Sequence, residues 1–376
     1  MPRPVLEAMN NHLTLESEIG GYEAAERASP LVEALYRNVA HLVGGSPDEV
    51  AFLDNATRAW HSVFHALDWK PGDEILTAQS EYNSHMISFR HAEKRFGVRI
   101  VLVPDGEDGT VDIDALGKLI SPRCRLISIT HLPTNDGLVN PVAEIGRIAN
   151  EHGIPFLLDA CQSAGQIPLD VSEIGCTMLS ATGRKYLRGP RGTGFLWVRS
   201  DWMERLVPHT LDIRSARWTH VDAYEIAPDA RRFELWETNV ASMIGLGVAT
   251  GYASATGLSA IWRRVRMLGE RLRAQIAELP EFTVHDRGTQ RSGIVTFSHS
   301  SLSAGEIVAR LRDEHSVNTS VSATQLTRSD LVERGVTQMV RASVHAYNTE
   351  GELERLARGL HDICDRRVAS GRHVFQ

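Results

Sequence analysis

One of the four lysines in this 376-residue chain lies between two apolar runs, a setting that favours covalent chemistry. Lys185 follows the apolar run 177–181 and precedes a glycine-rich turn and a second apolar run, 194–198. A lysine held between two buried strands carries a large desolvation cost unless it is neutral or covalently bonded. A Schiff base to a carbonyl cofactor relieves that cost. The alternative is a surface lysine in a loop, and spacing alone does not decide between the two.

A carboxylate at the end of another short apolar run favours the covalent interpretation. Asp159 ends the segment 154–159, and Gln162 follows three positions later. Ligands of α/β sheets bind beyond the carboxyl ends of strands, and pyridoxal phosphate enzymes use an Asp to keep the pyridine nitrogen protonated. An isolated Asp is better explained as a helix cap. Together, Asp159, Gln162 and Lys185 indicate a pyridoxal phosphate site.

Four segments then give the chain its resemblance to a known family. They are Asp159-Ala160-Cys161-Gln162, Thr182-Gly183-Arg184-Lys185, residues 188–194 (RGPRGTG) and residues 340–349 (VRASVHAYNT). With them the chain resembles, over nearly its whole length, the class V aminotransferases of fold type I. That group includes cysteine desulfurases, isopenicillin N epimerase-like proteins and several C–S lyases.

The alternation of strand-like and helix-like segments predicts an α/β fold with a mostly parallel sheet covered on both faces. The resemblance implies fold type I. For this chain it predicts a large cofactor-binding domain over residues 15–255, with a mostly parallel seven-stranded sheet. A smaller α+β domain is predicted over residues 256–376. Residues 1–14 are expected to pack near the smaller domain.

The resemblance also implies a binding site for the cofactor phosphate. Ala56 and Thr57 lie between a strand and a helix, where amides at a helix N-terminus bind anions; an ordinary N-cap is the alternative. Thr182 and Arg184 are expected to reach the same phosphate. Many relatives have His where this chain has Arg184, and Arg adds a bidentate donor. Thr238 is expected to reach the phosphate of a neighbouring subunit, which implies a homodimer with a shared active site.

Further residues are implied for the cofactor ring and the substrate. Tyr82 is expected to stack on the pyridine, with a core aromatic at a strand end as the alternative. Thr134 and Gln162 are expected near the phenolic oxygen, and Asn135 competes with Thr134 for that role. Arg341 is expected to bind the substrate α-carboxylate, because planar two-point pairing suits Arg and not Lys. A structural salt bridge is the alternative for Arg341.

The implied reaction acts at Cα of an amino acid. It starts from an aldimine between pyridoxal phosphate and Lys185, which then serves as the Cα base, while Asp159 keeps the electron sink protonated. This interpretation favours an aminotransferase, with a C–S lyase or an amino-acid epimerase as alternatives. It excludes a cysteine desulfurase that uses a nucleophilic Cys, because residues 322–338 contain none.

Two other classes of protein are less well supported. A cofactor-binding protein without catalysis conflicts with the presence of Lys185, Asp159 and Arg341 together. A nicotinamide-dependent oxidoreductase conflicts with the glycine-rich segment 189–194, whose spacing is reversed and which precedes a strand.

Bulk composition sets further expectations. The formal net charge of −7 gives no sign of nucleic-acid or membrane binding. Four widely spaced cysteines form no CxxC pair, so neither a metal site nor a disulfide framework is expected. A reduced, cytoplasmic compartment is therefore the default.

Overall fold

The computed structural model describes residues 1–325 and 328–371, and the side chains of the last helix as far as Cys364. Leu326, Thr327 and residues 372–376, which fall within the predicted small domain, lie outside the described residues. The helices are α1 (Arg3–Ile19), α2 (Gly21–Arg27), α3 (Ser29–Val43), α4 (Ala56–Phe64), α5 (Asn83–Phe96), α6 (Ile113–Leu119), α7 (Val142–Glu151), α8 (Val171–Ile174), α9 (Val240–Thr256), α10 (Leu258–Ala277), α11 (Ala304–His315), α12 (Arg328–Glu333) and α13 (Glu350–Gly371).

A seven-stranded sheet forms the larger unit. Its strands are β1 (Val50–Leu53), β2 (Glu74–Ala78), β3 (Arg99–Val103), β4 (Cys124–Thr130), β5 (Phe156–Asp159), β6 (Met178–Thr182) and β7 (Gly194–Val198). The spatial order is β1-β7-β6-β5-β4-β2-β3. β7 is antiparallel to both of its neighbours, and the other pairings are parallel. The predicted mostly parallel α/β sheet is therefore confirmed.

Side chains from both faces of this sheet are buried, as a parallel sheet requires. On β5, Phe156 and Leu158 enter one hydrophobic cluster, while Leu157 enters another on the opposite face. The first cluster includes residues of α3, α7 and α9, and the second includes α4 and α5. These two helical layers explain why the strands are continuously apolar in sequence.

A smaller antiparallel sheet lies toward the C-terminus. It consists of β10 (Phe282–Val284), β11 (Ile294–His299), β12 (Ser320–Ala323) and β13 (Gln338–Ser343), in the order β10-β11-β13-β12. Helices α10 and α11 contact this sheet, and α13 packs on both helices. A separate hairpin of β8 (Ala216–His220) and β9 (Ala223–Ile226) precedes α9.

Helices α9 and α10 meet at Gly257, where the chain bends by 79°. Gly257 has a φ of +89°, a region that glycine adopts without steric cost. In the described part of the chain, no single helix is long and apolar enough to cross a bilayer. Among the described helices, α9 and α10 reach that length and apolar character only when taken together as this bent pair. Most of the apolar residues of α9 are buried in the core. Helix α1 packs along α9. The domain boundaries given above stay predictions.

Candidate active site

The carboxyl ends of β5 and β6 bring the predicted residues Asp159 and Thr182 to the same edge of the sheet. Asp159 is the last residue of β5 and Thr182 the last of β6, and the two strands pair in parallel with Asp159 opposite Ser180. Parallel strands end at the same edge of a sheet, which is where α/β proteins bind ligands. Lys185 follows three residues after β6 and lies at this edge.

Two adjoining cavities occupy this edge. The inner cavity measures about 90 Å³ and the outer about 450 Å³. Both contact the same five residues: Tyr82, Thr134, Gln162, Arg184 and Lys185. The inner cavity adds four more of the predicted residues, namely Ala56, Thr57, Asp159 and Thr182, and the outer cavity adds Arg341. Apart from Thr238 and the alternative residue Asn135, every residue predicted for the site therefore lines one continuous cleft.

The N-terminus of α4 forms one wall of the inner cavity. Asn55 caps the helix by accepting a hydrogen bond from the Arg58 amide at 2.8 Å. Gly194 of β7 packs directly against this turn, since a Cβ at that position would lie 2.6 Å from the Asn55 carbonyl carbon and 2.7 Å from the Ala56 nitrogen. The missing side chain lets the strand and the helix start approach closely, which leaves the first amides of α4 facing the cavity, as an anion site requires.

Two residues that the sequence analysis missed fix the position of Tyr82. Glu81 is 1% exposed and accepts hydrogen bonds from the Tyr82 amide at 2.8 Å, the Thr77 hydroxyl at 3.1 Å and the Thr130 amide and hydroxyl. Its carboxylate also lies 2.9 Å from His85 Nδ1. The His85 ring stacks on Trp60 with centroids 4.4 Å apart. The Tyr82 ring centroid consequently lies 5.9 Å from Lys185 Nζ.

Asp159 is buried and held by the turn that follows β5. Its Oδ1 accepts a hydrogen bond of 2.7 Å from the Cys161 amide, and its Oδ2 lies 3.9 Å from His85 Nδ1. Burial lowers the pKa of the neighbouring His131 to about 4, against the opposing influence of Asp159. Burial and the Asp159 carboxylate raise the pKa of the Cys161 thiol well above its usual value. Asp159 is thus an immobile carboxylate at the closed end of the inner cavity.

Arg341 contributes a guanidinium with capacity to bind an anion. Its Nη1 donates to the Thr134 carbonyl at 3.2 Å and to the Thr134 hydroxyl. Burial lowers the pKa of Arg341, and its Nε is a buried donor without a hydrogen-bond partner in the described structure. The buried hydroxyl of Tyr186, which lines the same outer cavity, also lacks a partner there. Buried polar groups are normally satisfied, so these two groups indicate a polar ligand.

The remaining predicted residues divide between the cleft and other parts of the structure. Gln162 Nε2 lies 3.4 Å from Thr134 Oγ1, which puts both at the junction of the two cavities. Asn135 is fully buried and bonded to Ser322, and it lines neither cavity. Thr238 lines a different cavity of about 740 Å³, next to Arg58 and His209.

The cleft suits a phosphorylated pyridine aldehyde. It offers helix-terminal amides and Arg184 for a phosphate, a lysine amine for the aldehyde, a flat ring for stacking and a buried carboxylate for the ring nitrogen. In the described residues, no group of three or more His, Cys, Asp and Glu side chains is arranged to hold a metal ion.

Comparison with known proteins agrees with this chemistry. Residues 1–356 match the family described as Aminotransferase class-V. The chain belongs to the class V aminotransferases. Its fold is that of fold type I enzymes, and its cofactor is pyridoxal phosphate.

Three relatives of this class V enzyme illustrate the match. A probable cysteine desulfurase of Methanothermobacter thermautotrophicus is 29% identical over 96% of this chain and 92% of the relative. The apo structure of a cysteine desulfurase from Thermococcus onnurineus NA1 is 25% identical and superposes with a TM-score of 0.88, covering 96% of this chain and 92% of that one. Two structures of C-DES, one with glycine covalently linked to the PLP cofactor and one of the cystine C–S lyase with its product cysteine persulfide, are 24% and 25% identical. Both have a TM-score of 0.86 and cover 96% of this chain, and 93% and 94% of theirs.

These relatives correct the predicted reaction type. The exclusion of cysteine desulfurases is wrong, because proteins of that name match this class V enzyme over nearly its whole length. Their names also point to a lyase rather than to the favoured aminotransferase. The exclusion rested on the absence of Cys from residues 322–338, which include the undescribed Leu326 and Thr327. The absence of Cys from this segment does not exclude a desulfurase, because the thiol that accepts the sulfur need not come from this segment.

Proposed function

We propose that this class V enzyme is a lyase of the cysteine desulfurase type, which cleaves the C–S bond of L-cysteine or of a closely related sulfur-containing amino acid. The observation that carries the proposal is the match to proteins named cysteine desulfurase across both chains' lengths. The cleft supports it, because an amine, a carboxylate and a guanidinium whose Nε has no hydrogen-bond partner in the described structure line one continuous space.

Each residue of the cleft has a role in this proposal. Arg341 binds the substrate α-carboxylate through its free N–H edge, and this pairing orients the Cα–H bond toward Lys185. Pyridoxal phosphate, when bound, supplies the electron sink for the charge that develops at Cα. Asp159 holds the proton on the ring nitrogen, Tyr82 stacks on the ring, and Thr134 and Gln162 face its phenolic oxygen.

Lys185 is the proposed proton carrier. Its Nζ holds the cofactor before substrate arrives and then takes and returns the proton at Cα as a general base. The phosphate is held by the amides of Ala56 and Thr57, with Thr182 and Arg184 beside them. The Tyr82 and Tyr186 rings line the outer cavity beside Lys185 and reduce the room for water next to the reacting carbon.

We further propose that the enzyme works as a homodimer. Thr238 does not face the cleft of its own protomer, and it lines a separate large cavity with Arg58, His61 and His209. A partner subunit seated against this cavity would bring Thr238 toward the partner's cofactor phosphate. A cytoplasmic location stays a prediction.

The test is a product analysis of the protein reconstituted with pyridoxal phosphate and given L-cysteine and a small thiol as sulfur acceptor. Desulfuration converts L-cysteine and the thiol into L-alanine and the corresponding persulfide, which balances all atoms. Formation of alanine and persulfide in equal amounts supports the proposal. Amino transfer to a keto acid without release of sulfur refutes it, and pyruvate with ammonia would instead indicate β-elimination.

Matched lysine variants locate the chemistry. Lys185→Ala should reduce sulfur release by about 10²–10⁴-fold, because it removes a general base. Lys118→Ala is the control, since Lys118 is an exposed residue of α6 that lines neither cavity. Equal activity of the two variants would contradict the role of Lys185.

A further inference from the structure

The outer cavity carries more positive charge than the proposed reaction requires. Four cationic side chains line it, Arg184, Lys185, Arg188 and Arg341, and none of its described lining residues is an Asp or Glu. Under the proposed function, Arg184 faces the cofactor phosphate, Lys185 the aldehyde and Arg341 the substrate α-carboxylate. Arg188 has no role in that scheme.

Arg188 is held in place by aromatic rings and not by an acid. Its guanidinium carbon lies 5.3 Å from the Tyr252 ring centroid and 5.4 Å from that of Tyr347. In the described structure no ion pair or side-chain hydrogen bond of Arg188 is found. Aromatic faces attract the guanidinium through its flat surface, so its N–H edge stays available for a planar anion.

The backbone at Arg188 is also unusual. Its φ is +58°, in the left-handed region that residues other than glycine seldom adopt. The conformation is fixed locally, because the Arg188 amide donates to the Lys185 carbonyl at 2.9 Å and the Gly189 amide to the Gly183 carbonyl at 2.7 Å. Backbone strain of this kind concentrates at binding and catalytic sites.

A row of stacked rings continues from this arginine to the base of the cavity. Tyr347 stacks on His345 with centroids 5.0 Å apart, and His345 stacks on Tyr186 at 4.4 Å. Burial and the charge of Arg188 lower the pKa of His345 to about 4, so the imidazole is neutral at physiological pH. The wall between Arg188 and Tyr186 therefore adds no competing charge.

We propose that Arg188 binds a second anionic group, carried at the far end of the substrate side chain, so that the enzyme prefers acidic S-substituted cysteines. This inference rests on the proposed function for the position of the α-carboxylate at Arg341. The two guanidinium groups then bind the two ends of one substrate, and the C–S bond lies between them.

The competing explanation is structural. Arg188 joins Tyr252 of α9 to Tyr347 near the start of α13, and this contact alone would stabilise the packing of the two segments. A structural role predicts equal losses for charged and neutral substrates when Arg188 is replaced. A role in recognition predicts a loss confined to the charged substrate.

The experiment compares S-carboxymethyl-L-cysteine with its neutral, nearly isosteric amide, S-carbamoylmethyl-L-cysteine. Binding to the holoenzyme is measured from the change in its visible absorption. Cleavage is measured as kcat/KM for β-elimination, in which the S-substituted cysteine and one water give the free thiol, pyruvate and ammonia. The wild-type enzyme should prefer the acid by about 10–100-fold, as a charge-assisted hydrogen-bonded pair provides. Arg188→Met should bring this preference close to unity, and Arg188→Lys should retain part of it.

Arg191→Met is the matched control, because Arg191 is an exposed arginine of the same loop that lines neither cavity. It should keep the preference of the wild-type enzyme. The inference is overturned if the wild-type enzyme shows no preference, including no binding of either compound, or if Arg188→Met weakens both equally.

The two proposals can fail separately. A preference for the acid in the binding measurement, without C–S cleavage of any compound, would refute the proposed function and leave the role of Arg188 intact. Cleavage of L-cysteine with no preference between acid and amide would refute the role of Arg188 alone.

Discussion

Replacing Glu81 by Gln should destabilise the protein and loosen the site at the same time. Glu81 Oε1 accepts from the Tyr82 amide, the Thr130 hydroxyl and His85, and Oε2 accepts from the Thr130 amide and the Thr77 hydroxyl. A glutamine has one carbonyl oxygen, so its amide group must take the place of one of these carboxylate oxygens. If the amide group takes the Oε2 position, it opposes the Thr130 N–H, which cannot reverse its direction.

The magnitude follows from the bonds that are lost. One buried N–H left without an acceptor costs about 1–3 kcal/mol, and hydrogen bonds to a charged group are worth about 1 kcal/mol more than neutral ones. With the Thr130 amide unsatisfied and three remaining bonds to Oε1 weakened, the free energy of unfolding should fall by about 4–6 kcal/mol. Urea unfolding followed by circular dichroism gives this value.

Glu107→Gln serves as the control, because Glu107 is exposed and makes no side-chain hydrogen bond in the described structure. Surface changes of this kind stay within about 0.5 kcal/mol. A Glu81→Gln protein that matches the control in stability and cofactor affinity would refute the view that this carboxylate organises Tyr82 and His85.

Three further predictions address the substrate, the fold and the cofactor. Arg341→Lys should raise the KM for L-cysteine by about 10–100-fold in steady-state kinetics, since a point charge replaces the two-point donor; an unchanged KM would contradict the clamp. His131 has a pKa of about 4 when folded, below its unfolded value, so the unfolded state binds more protons as pH falls and stability is lost between about pH 6.5 and 4. From pH 7 to 5 this residue should account for about 2 kcal/mol of lost stability. When the free energy of unfolding is plotted against pH, the His131→Gln protein should therefore lose about 2 kcal/mol less than the wild type over this range. Equal losses in the two proteins would rule this out. Gly194→Ala should cost about 1–3 kcal/mol of stability through overpacking and weaken pyridoxal phosphate binding in a titration, because the new Cβ meets the start of α4; wild-type cofactor affinity would show that the turn adapts.

The sequence predicted those elements that bury a periodic apolar face. The apolar runs 154–159, 177–181 and 194–198 lie within about two residues of the ends of β5, β6 and β7, since continuous apolar runs are a strong signal. The Thr-x-x-Glu spacing of residues 349–352 forms a capping box, with the Thr349 amide donating to Glu352 at 2.7 Å and the Glu352 amide to the Thr349 hydroxyl at 3.3 Å. In such segments, local pattern and tertiary burial agree.

Elements that bury little were missed for the same reason. Helix α1 buries only Val5 and His12, and the β8–β9 hairpin exposes Trp218 and Tyr224. Neither segment shows the alternation that marks a half-buried element. The role of Glu81 was also not visible, because a charged residue before a helix normally indicates solvent, and only the fold brings Thr77 and Thr130 around it.

The error about the reaction type has a physical origin as well. The residues proposed to bind the cofactor line the inner cavity, and the same cofactor serves aminotransferases, lyases and epimerases alike. Outcomes diverge at the other end of the substrate, where its side chain meets Arg188, Tyr347 and the rest of the outer cavity. The same fold supports different chemistry when only that end changes. The recognisable segments are concentrated around Lys185 and Asp159, so they identify the cofactor. They do not identify which substrate bond breaks, because that depends on the residues of the outer cavity. The comparison of acidic and neutral substrates tests those residues directly.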